Sequence, residues 1–239
     1  MTAADVLTLP VSPEIVAKTS ANVIRKYLFT NPSLMYGRTP VGLLDNLYMG
    51  DLAKNALLSQ LRSQCIQPII DYDEVRDDQF HWPDPGWDFK AGRQGLKIEV
   101  KSSIPPHGEN RESLVRQRDI KITASLDNGQ SWIQPADIES DIHVQIYFYA
   151  KPYQRGYETF ETLQKILLDD PSQLHQIIHS QKYDRPLFFG WNTKTKLVEY
   201  SQTLNPPTWT FERTSRIYWR CPLSAARTLA ELVALIDAS

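Results

Sequence analysis

Three residues of this chain, Asp88, Glu99 and Lys101, have the types and spacing that could cleave a phosphodiester. Glu99 and Lys101 belong to the run Lys97-Ile98-Glu99-Val100-Lys101-Ser102-Ser103. In a β-strand its alternation sends Ile98 and Val100 to one face and Lys97, Glu99 and Lys101 to the other. Trp87-Asp88-Phe89 precedes it across Gly92-Arg93-Gln94-Gly95, which reads as a hairpin turn. If that turn closes symmetrically, residues whose numbers sum to 187 lie opposite each other, and Asp88 and Glu99 are such a pair. Like charges placed there, with Cβ atoms ~4.5–5.5 Å apart, repel each other. A cation is therefore expected between them, and Mg²⁺, which takes one or two carboxylates together with waters and phosphate oxygens, fits the donor set. Lys101, two residues further along the same face, would reach a water or a phosphate oxygen.

Two rival readings stand beside this one. The segment Lys-Ile-Glu-Val-Lys also fits a half-exposed amphipathic strand with its charges in water. Asp84, in a Pro83-Asp84 pair, competes with Asp88 for the first metal position, but Pro85-Gly86 breaks the strand after it and its symmetric partner would be Ser103.

The pattern Asp88, ten intervening residues, then Glu99-Val100-Lys101 resembles the signature of the PD-(D/E)xK nuclease superfamily, which includes restriction endonucleases, resolvases and repair nucleases. The resemblance covers about residues 84 to 103, from Pro85-Gly86-Trp87-Asp88-Phe89 to Leu96 through Ser103. It implies a restriction-endonuclease-like α/β core, a central mixed sheet flanked by helices, and a Mg²⁺ ion, with Mn²⁺ as a substitute. Asp88 and Glu99 would hold the metal, the Val100 carbonyl could add a ligand, and Lys101 would orient or help deprotonate the attacking water. In that family a helix before the hairpin often carries a further acid. Asp51, after Gly50, matches that position, with Asp45 as an alternative and a solvated helix acid as the plain explanation. Gln145 on a later strand could help position the metal water, although a Gln on an exposed strand face is the commoner case.

These residues need a hairpin held on a sheet, with helices behind it. Pro13-Glu14 opens a helix running to Tyr27. The spacing of Leu44, Leu47, Tyr48, Leu52, Ala56, Leu57 and Leu61 predicts a long helix from Leu43 to Gln64, interrupted at Gly50-Asp51. Ile66 to Tyr72 reads as a first strand and Asp141 to Tyr149 as the strongest later one, while Pro186–Trp191 and Leu197–Tyr200 read as a further strand pair. Leu163–Leu168, Leu174–Ile178 and Ala225–Ile236 read as helices, and Asn31-Pro32-Ser33 and Arg38-Thr39-Pro40 as turns.

With 239 residues, 41% hydrophobic and 23% charged, the chain has the composition of an ordinary globular protein and is read as one nuclease domain, with its core at about 43–150. No apolar run reaches the ~20 residues of a membrane span, and the start lacks a secretory pattern. Cys65 and Cys221 are too few for a disulfide framework or a zinc cluster, so a reduced, cytoplasmic setting is expected. The net charge of −2 argues against nucleic acid, yet Asp71, Asp73, Glu74, Asp77, Asp78, Asp84 and Asp88 crowd into one segment opposed by Arg76 alone. That acidity reads as the local charge a metal centre needs, and the rest of the chain is net positive. Arg111, Arg116, Arg118 and Lys121, and then Arg213, Arg216, Arg220 and Arg227 interleaved with Phe211, Tyr218 and Trp219, suit phosphate and base contacts; they are equally readable as solvated faces. The segments at about 104–140 and 200–239 are thus the expected recognition elements, and the polar loop Ser125–Ser131 could enter a groove. His175 and His179 lack the Glu of a metalloprotease motif and read as a surface pair.

The expected activity is that of a Mg²⁺-dependent endonuclease of the type II restriction kind, cutting double-stranded DNA as a homodimer. Another member of the superfamily (a resolvase, a repair or a transposition nuclease) and a catalytically silent nucleic-acid-binding module are the alternatives.

Overall fold

The computed structural model describes residues 1–30, 39–78, 80–82, 84–126, 131–150, 159–211 and 216–239. In chain order the elements are β1 (Leu7–Thr8), α1 (Pro13–Phe29), α2 (Pro40–Gln64), β2 (Ile69–Asp71), α3 (Tyr72–Val75), β3 (Phe89–Ala91) and β4 (Leu96–Ser103). Next come α4 (Arg111–Gln117), β5 (Ile122–Leu126), β6 (Ser131–Trp132), β7 (Ile142–Tyr147), α5 (Phe160–Asp169) and α6 (Leu174–Ile177). The chain ends with β8 (Leu187–Thr193), α7 (Lys194–Thr203), β9 (Thr208–Phe211), β10 (Arg216–Trp219) and α8 (Leu229–Ala238).

The fold is α/β, with a mixed six-stranded sheet in the order β1-β8-β7-β4-β3-β2 flanked by helices. Strand β4 pairs parallel with β7 and antiparallel with β3, so the hairpin lies inside the sheet. One sheet face, carrying Phe89, Ile98, Val100, Val144 and Trp191, packs on α2, whose Leu44, Tyr48, Leu52, Leu57 and Leu61 are buried. Ser12 caps α1 by accepting the Ile15 N–H, and Thr39 caps α2 by accepting the Gly42 N–H at 3.0 Å. Each cap is followed by Pro at the first helical position, a preferred helix start.

On the other face a second core joins Tyr147, Leu187 and Phe189 to Leu114, Ile122, Ala124, Leu197 and Trp219. It sits beneath a four-stranded antiparallel sheet in the order β6-β5-β10-β9. The two segments expected to serve recognition supply all four of its strands.

Several elements differ from expectation. The strand predicted over Ile66–Tyr72 shrinks to Ile69–Asp71, because Asp71 accepts the Asp73 N–H and starts α3. Leu197–Tyr200 is helical: Thr193 caps α7 by accepting the Lys196 N–H, and Leu197 turns into the second core with Tyr200 packed beside it. Gly50 does not interrupt α2, and a Cβ there would meet β4 only at an ordinary contact distance, 4.0 Å from Ser102 Oγ. The last helix starts at Leu229, after a 3-10 turn over Leu223–Ala225. The turn at Asn31-Pro32-Ser33, residue Arg38 and most of the loop Ser125–Ser131 lie outside the described residues. No helix among the described residues is long and apolar enough to cross a membrane.

Candidate active site

The hairpin turn sets the register. Gly92 and Gly95 have φ of +76° and +67°, which L side chains rarely adopt, and the Gly95 N–H donates to the Gly92 carbonyl. Gly92 also abuts the end of α8, so that a Cβ would meet Ser239 and come within 2.9 Å of the Ile236 carbonyl. The ladder then pairs Phe89 with Ile98, Lys90 with Lys97 and Ala91 with Leu96, the register expected from symmetric closure.

Asp88 stands just before β3, where the regular ladder ends, and its N–H and carbonyl turn to opposite neighbours. Its N–H donates to the Ile98 carbonyl at 2.8 Å and its carbonyl accepts the Tyr72 N–H at 3.0 Å. Its Oδ2 accepts the Val100 N–H at 2.6 Å, a bond that replaces a backbone partner where Pro85-Gly86 turns the chain away. In an antiparallel pair the N–H and C=O of one residue point to the same side, so the Val100 carbonyl faces the same edge. Glu99 and Lys101 project from the sheet face opposite α2, and the Lys101 ammonium contacts Glu99 Oε1. Asp88, Glu99 and Lys101 thus form one cluster.

The electrostatics match a site short of positive charge. Burial first, and then the neighbouring Glu99, push the Asp88 carboxyl up to about 8, against the pull of the Val100 N–H, Lys54 and Lys101. Burial would lower the pKa of Lys101, but Glu99, Asp88 and Tyr218 outweigh it and hold the ammonium charged. The two acids offer hard carboxylate oxygens, and Asp88 carries an ionisation penalty that a dication would relieve. This set fits Mg²⁺ or Mn²⁺. Among the described residues no group of three or more His, Cys, Asp or Glu side chains could hold a metal by itself, so water and substrate oxygens would have to complete the shell.

Two residues beside the cluster carry no clear signal in the sequence. His143 pairs with Glu99 across β4 and β7; burial, followed by Lys101 and Lys194, pushes its pKa down to about 3, so the imidazole is neutral. Its Nδ1 lies 3.3 Å from Ser140 Oγ, and its Nε2 is buried with no hydrogen-bond partner among the described residues. Gln145 pairs with Lys101 and is fully buried, which corrects its expected place on an exposed strand face. Its Nε2 donates to the carbonyls of Lys101 and Ile146 at 3.1 and 3.0 Å, and its Oε1 accepts the Lys121 N–H at 3.0 Å. The side chain therefore clamps the second sheet to the strand that carries Lys101.

The other expected site residues lie elsewhere. Asp51 bonds Lys26 at 2.7 Å, and its Oδ2 is buried with no hydrogen-bond partner among the described residues. Asp84 is exposed and pairs with Arg76 at 2.9 Å. Asp45 bonds Lys182 at 2.8 Å. The acidic run read as the local charge of a metal centre has a different employment. Asp71 and Asp73 are neutralised by Lys54, with Lys18 on Asp71 and Lys26 on Asp73, while Glu74 takes Lys18 and Arg62, and Asp78 takes Arg76. Those cations come from α1, α2 and the end of α3, so the acids fasten the helices to the sheet edge.

Of the basic residues, Arg118 pairs with Glu109, Arg220 lies 3.6 Å from Asp119, and Arg111 donates to the Val6 carbonyl at 3.5 Å. Arg227 lies over the Trp191 ring and pairs with Glu231. Arg116 is exposed on α4, Lys121 and Arg216 lie on the second sheet, and Arg213 falls outside the described residues. His175 is half-buried, its ring bridging Ser20 and Ser180, while His179 is exposed.

No protein-family model matches the chain, and no curated protein and no solved structure is similar to it.

Proposed function

We propose that this protein is a Mg²⁺-dependent DNA endonuclease of the PD-(D/E)xK kind, with a restriction-endonuclease-like core, built around Asp88, Glu99 and Lys101. The observation that carries the reading is the juxtaposition of Asp88, bonded to β4 just before β3 begins, with Glu99 of β4, the Lys101 ammonium beside Glu99 and an Asp88 carboxyl held far above its ordinary range by burial and by Glu99. An exposed amphipathic strand would let its acids relax into water, whereas here Asp88 is pinned by the Val100 N–H and the Ile98 carbonyl.

Asp88, Glu99 and the Val100 carbonyl would hold the metal, which when bound lowers the pKa of a water and neutralises charge developing on the phosphate. Lys101 is held as an ammonium, so it serves as a donor that orients the attacking water against a phosphate oxygen and not as the base that takes its proton. Gln145 fixes the backbone under Lys101 through its carbonyl.

The second sheet, standing next to this face, would supply target contacts through Lys121 and Arg216, with Arg111, Arg116, Arg118, Arg213 and Arg220 as further phosphate contacts. Cutting both strands at a symmetric site needs two centres, hence a homodimer of the type II restriction kind, in the cytoplasm. The test is incubation of supercoiled plasmid with Mg²⁺, for wild type and for Asp88→Ala and Lys101→Ala. Defined fragments from the wild type, with cutting lost in both variants while DNA binding remains, support the reading. A wild type that binds DNA and never cuts it, in Mg²⁺ or Mn²⁺, replaces it with the silent binding module.

A further inference from the structure

The second sheet has a face that its core does not use. Ile122, Ala124, Ile217 and Trp219 turn into the core. Alternation sends Tyr218 and Arg216 of β10, and their register partners Trp209 and Phe211 of β9, to the opposite face. There the Trp209 and Tyr218 rings stack with centroids 4.8 Å apart, and Phe211 stands edge-on to Trp209 at 81°. Lys121 Nζ lies 5.3 Å from the Phe211 ring centroid and 5.9 Å from that of Tyr218. Trp209 and Phe211 stay half-exposed, and the Trp209 Nε1 is buried with no hydrogen-bond partner among the described residues. This corner is coupled to the candidate active site through one side chain, since Gln145 holds both the Lys121 N–H and the Lys101 carbonyl.

We infer that the Trp209–Phe211 corner receives a single nucleobase extruded from duplex DNA beside the phosphate to be cut, an inference that rests on the nuclease reading above. Two rings near a right angle present one stacking face and one edge, which suits one base. A single-strand track would need successive platforms along a groove, and the described residues offer one corner. Lys121 and Arg216 place positive charge at that corner, as the phosphates flanking an extruded nucleotide require. A base already mismatched costs least to extrude, which makes the inference measurable.

The test uses the full chain and duplexes spanning the cut position mapped on plasmid, with binding measured in Ca²⁺ so that no turnover is needed. One duplex is fully paired, others carry a single mismatch stepped across the cut, and a single strand serves as the third arm. The expected result is binding about tenfold tighter when the mismatch flanks the cut, together with a rise in 2-aminopurine fluorescence at that position. Phe211→Ala and Trp209→Ala should each weaken binding of the mismatched duplex by about ten- to one-hundred-fold. Phe211→Leu, which keeps bulk without a ring, should behave as Phe211→Ala does, and in each variant the loss on the paired duplex should be about tenfold smaller than the loss on the mismatched one, because the cost of extrusion already offsets most of the stacking gain there.

Equal affinity for paired and mismatched duplexes, tighter binding of the single strand, or equal losses on every DNA would overturn the inference while plasmid cutting persists. A protein that neither binds nor cuts DNA sinks the nuclease reading and this one together.

Discussion

Replacing Asp88 by Asn should stabilise the metal-free protein, and by more at high pH than at low. The Asn side chain keeps an oxygen for the Val100 N–H, now 2.6 Å from Asp88 Oδ2, and removes the charge that faces Glu99. The sign follows from proton linkage. The carboxyl is moved from its ordinary 3.8 to about 8, so between those values the folded chain holds a proton that the unfolded chain has lost. Stability of the wild type therefore falls as pH rises through that window, and the deficit is complete above it. At about 1.4 kcal/mol per tenfold change in proton affinity, full ionisation in place costs about 6 kcal/mol. Asp88 keeps partial solvent contact, which reduces this to about 2–4 kcal/mol at pH 8.5, against about 1 kcal/mol at pH 5. The readout is consequently the difference between the two pH values, about 1–3 kcal/mol, from urea unfolding followed by tryptophan fluorescence without divalent ions. Added Mg²⁺ should raise wild-type stability at pH 8.5 and leave Asp88→Asn unmoved. A pH-independent loss of stability in Asp88→Asn would refute the reasoning, because Asp88 would then be an ordinary structural acceptor.

Two further substitutions probe the scaffold. Lys54→Met removes the cation shared by the buried carboxylates of Asp71 and Asp73 and leaves them to Lys18 and Lys26; it should cost about 2–3 kcal/mol in chemical denaturation, more than exposed ion pairs such as Lys196–Glu199 could contribute. Gln145→Leu keeps the volume but orphans the Lys121 N–H and the Lys101 carbonyl; a loss of about 2–3 kcal/mol is expected by thermal or urea unfolding, with plasmid cutting reduced even where the variant is fully folded.

The hairpin was legible from the sequence because local rules determine it. Two glycines at positive φ fix the turn, and a side-chain period of two then decides which residues share a face. Those same rules brought Asp88, Glu99 and Lys101 together. What was illegible depends on partners far away in the chain. Asp71, Asp73 and Glu74 look like a reservoir of metal-binding charge until α1 and α2 deliver Lys18, Lys26, Lys54 and Arg62 to them. Asp51 looked free for a metal for the same reason, and Lys26 claims it. Gln145 resembles any polar residue on a strand until the second sheet buries it. That sheet escaped notice because its strands are two to five residues long and rich in Trp, Tyr and Arg, a composition that reads as a recognition loop. Leu197–Tyr200 reads as a strand by its β-branched and aromatic content, although Leu197 and Tyr200 are three apart and share a helical face once Thr193 caps the turn.

The most direct measurement of the central claim is an anomalous difference map from crystals grown or soaked in Mn²⁺. A peak between the carboxylates of Asp88 and Glu99, within coordinating distance of both and lost in Asp88→Asn, is the expected result. Crystals saturated with Mn²⁺ in which Asp88 still accepts only from Val100, Glu99 still contacts Lys101 and no ion lies between them would contradict it.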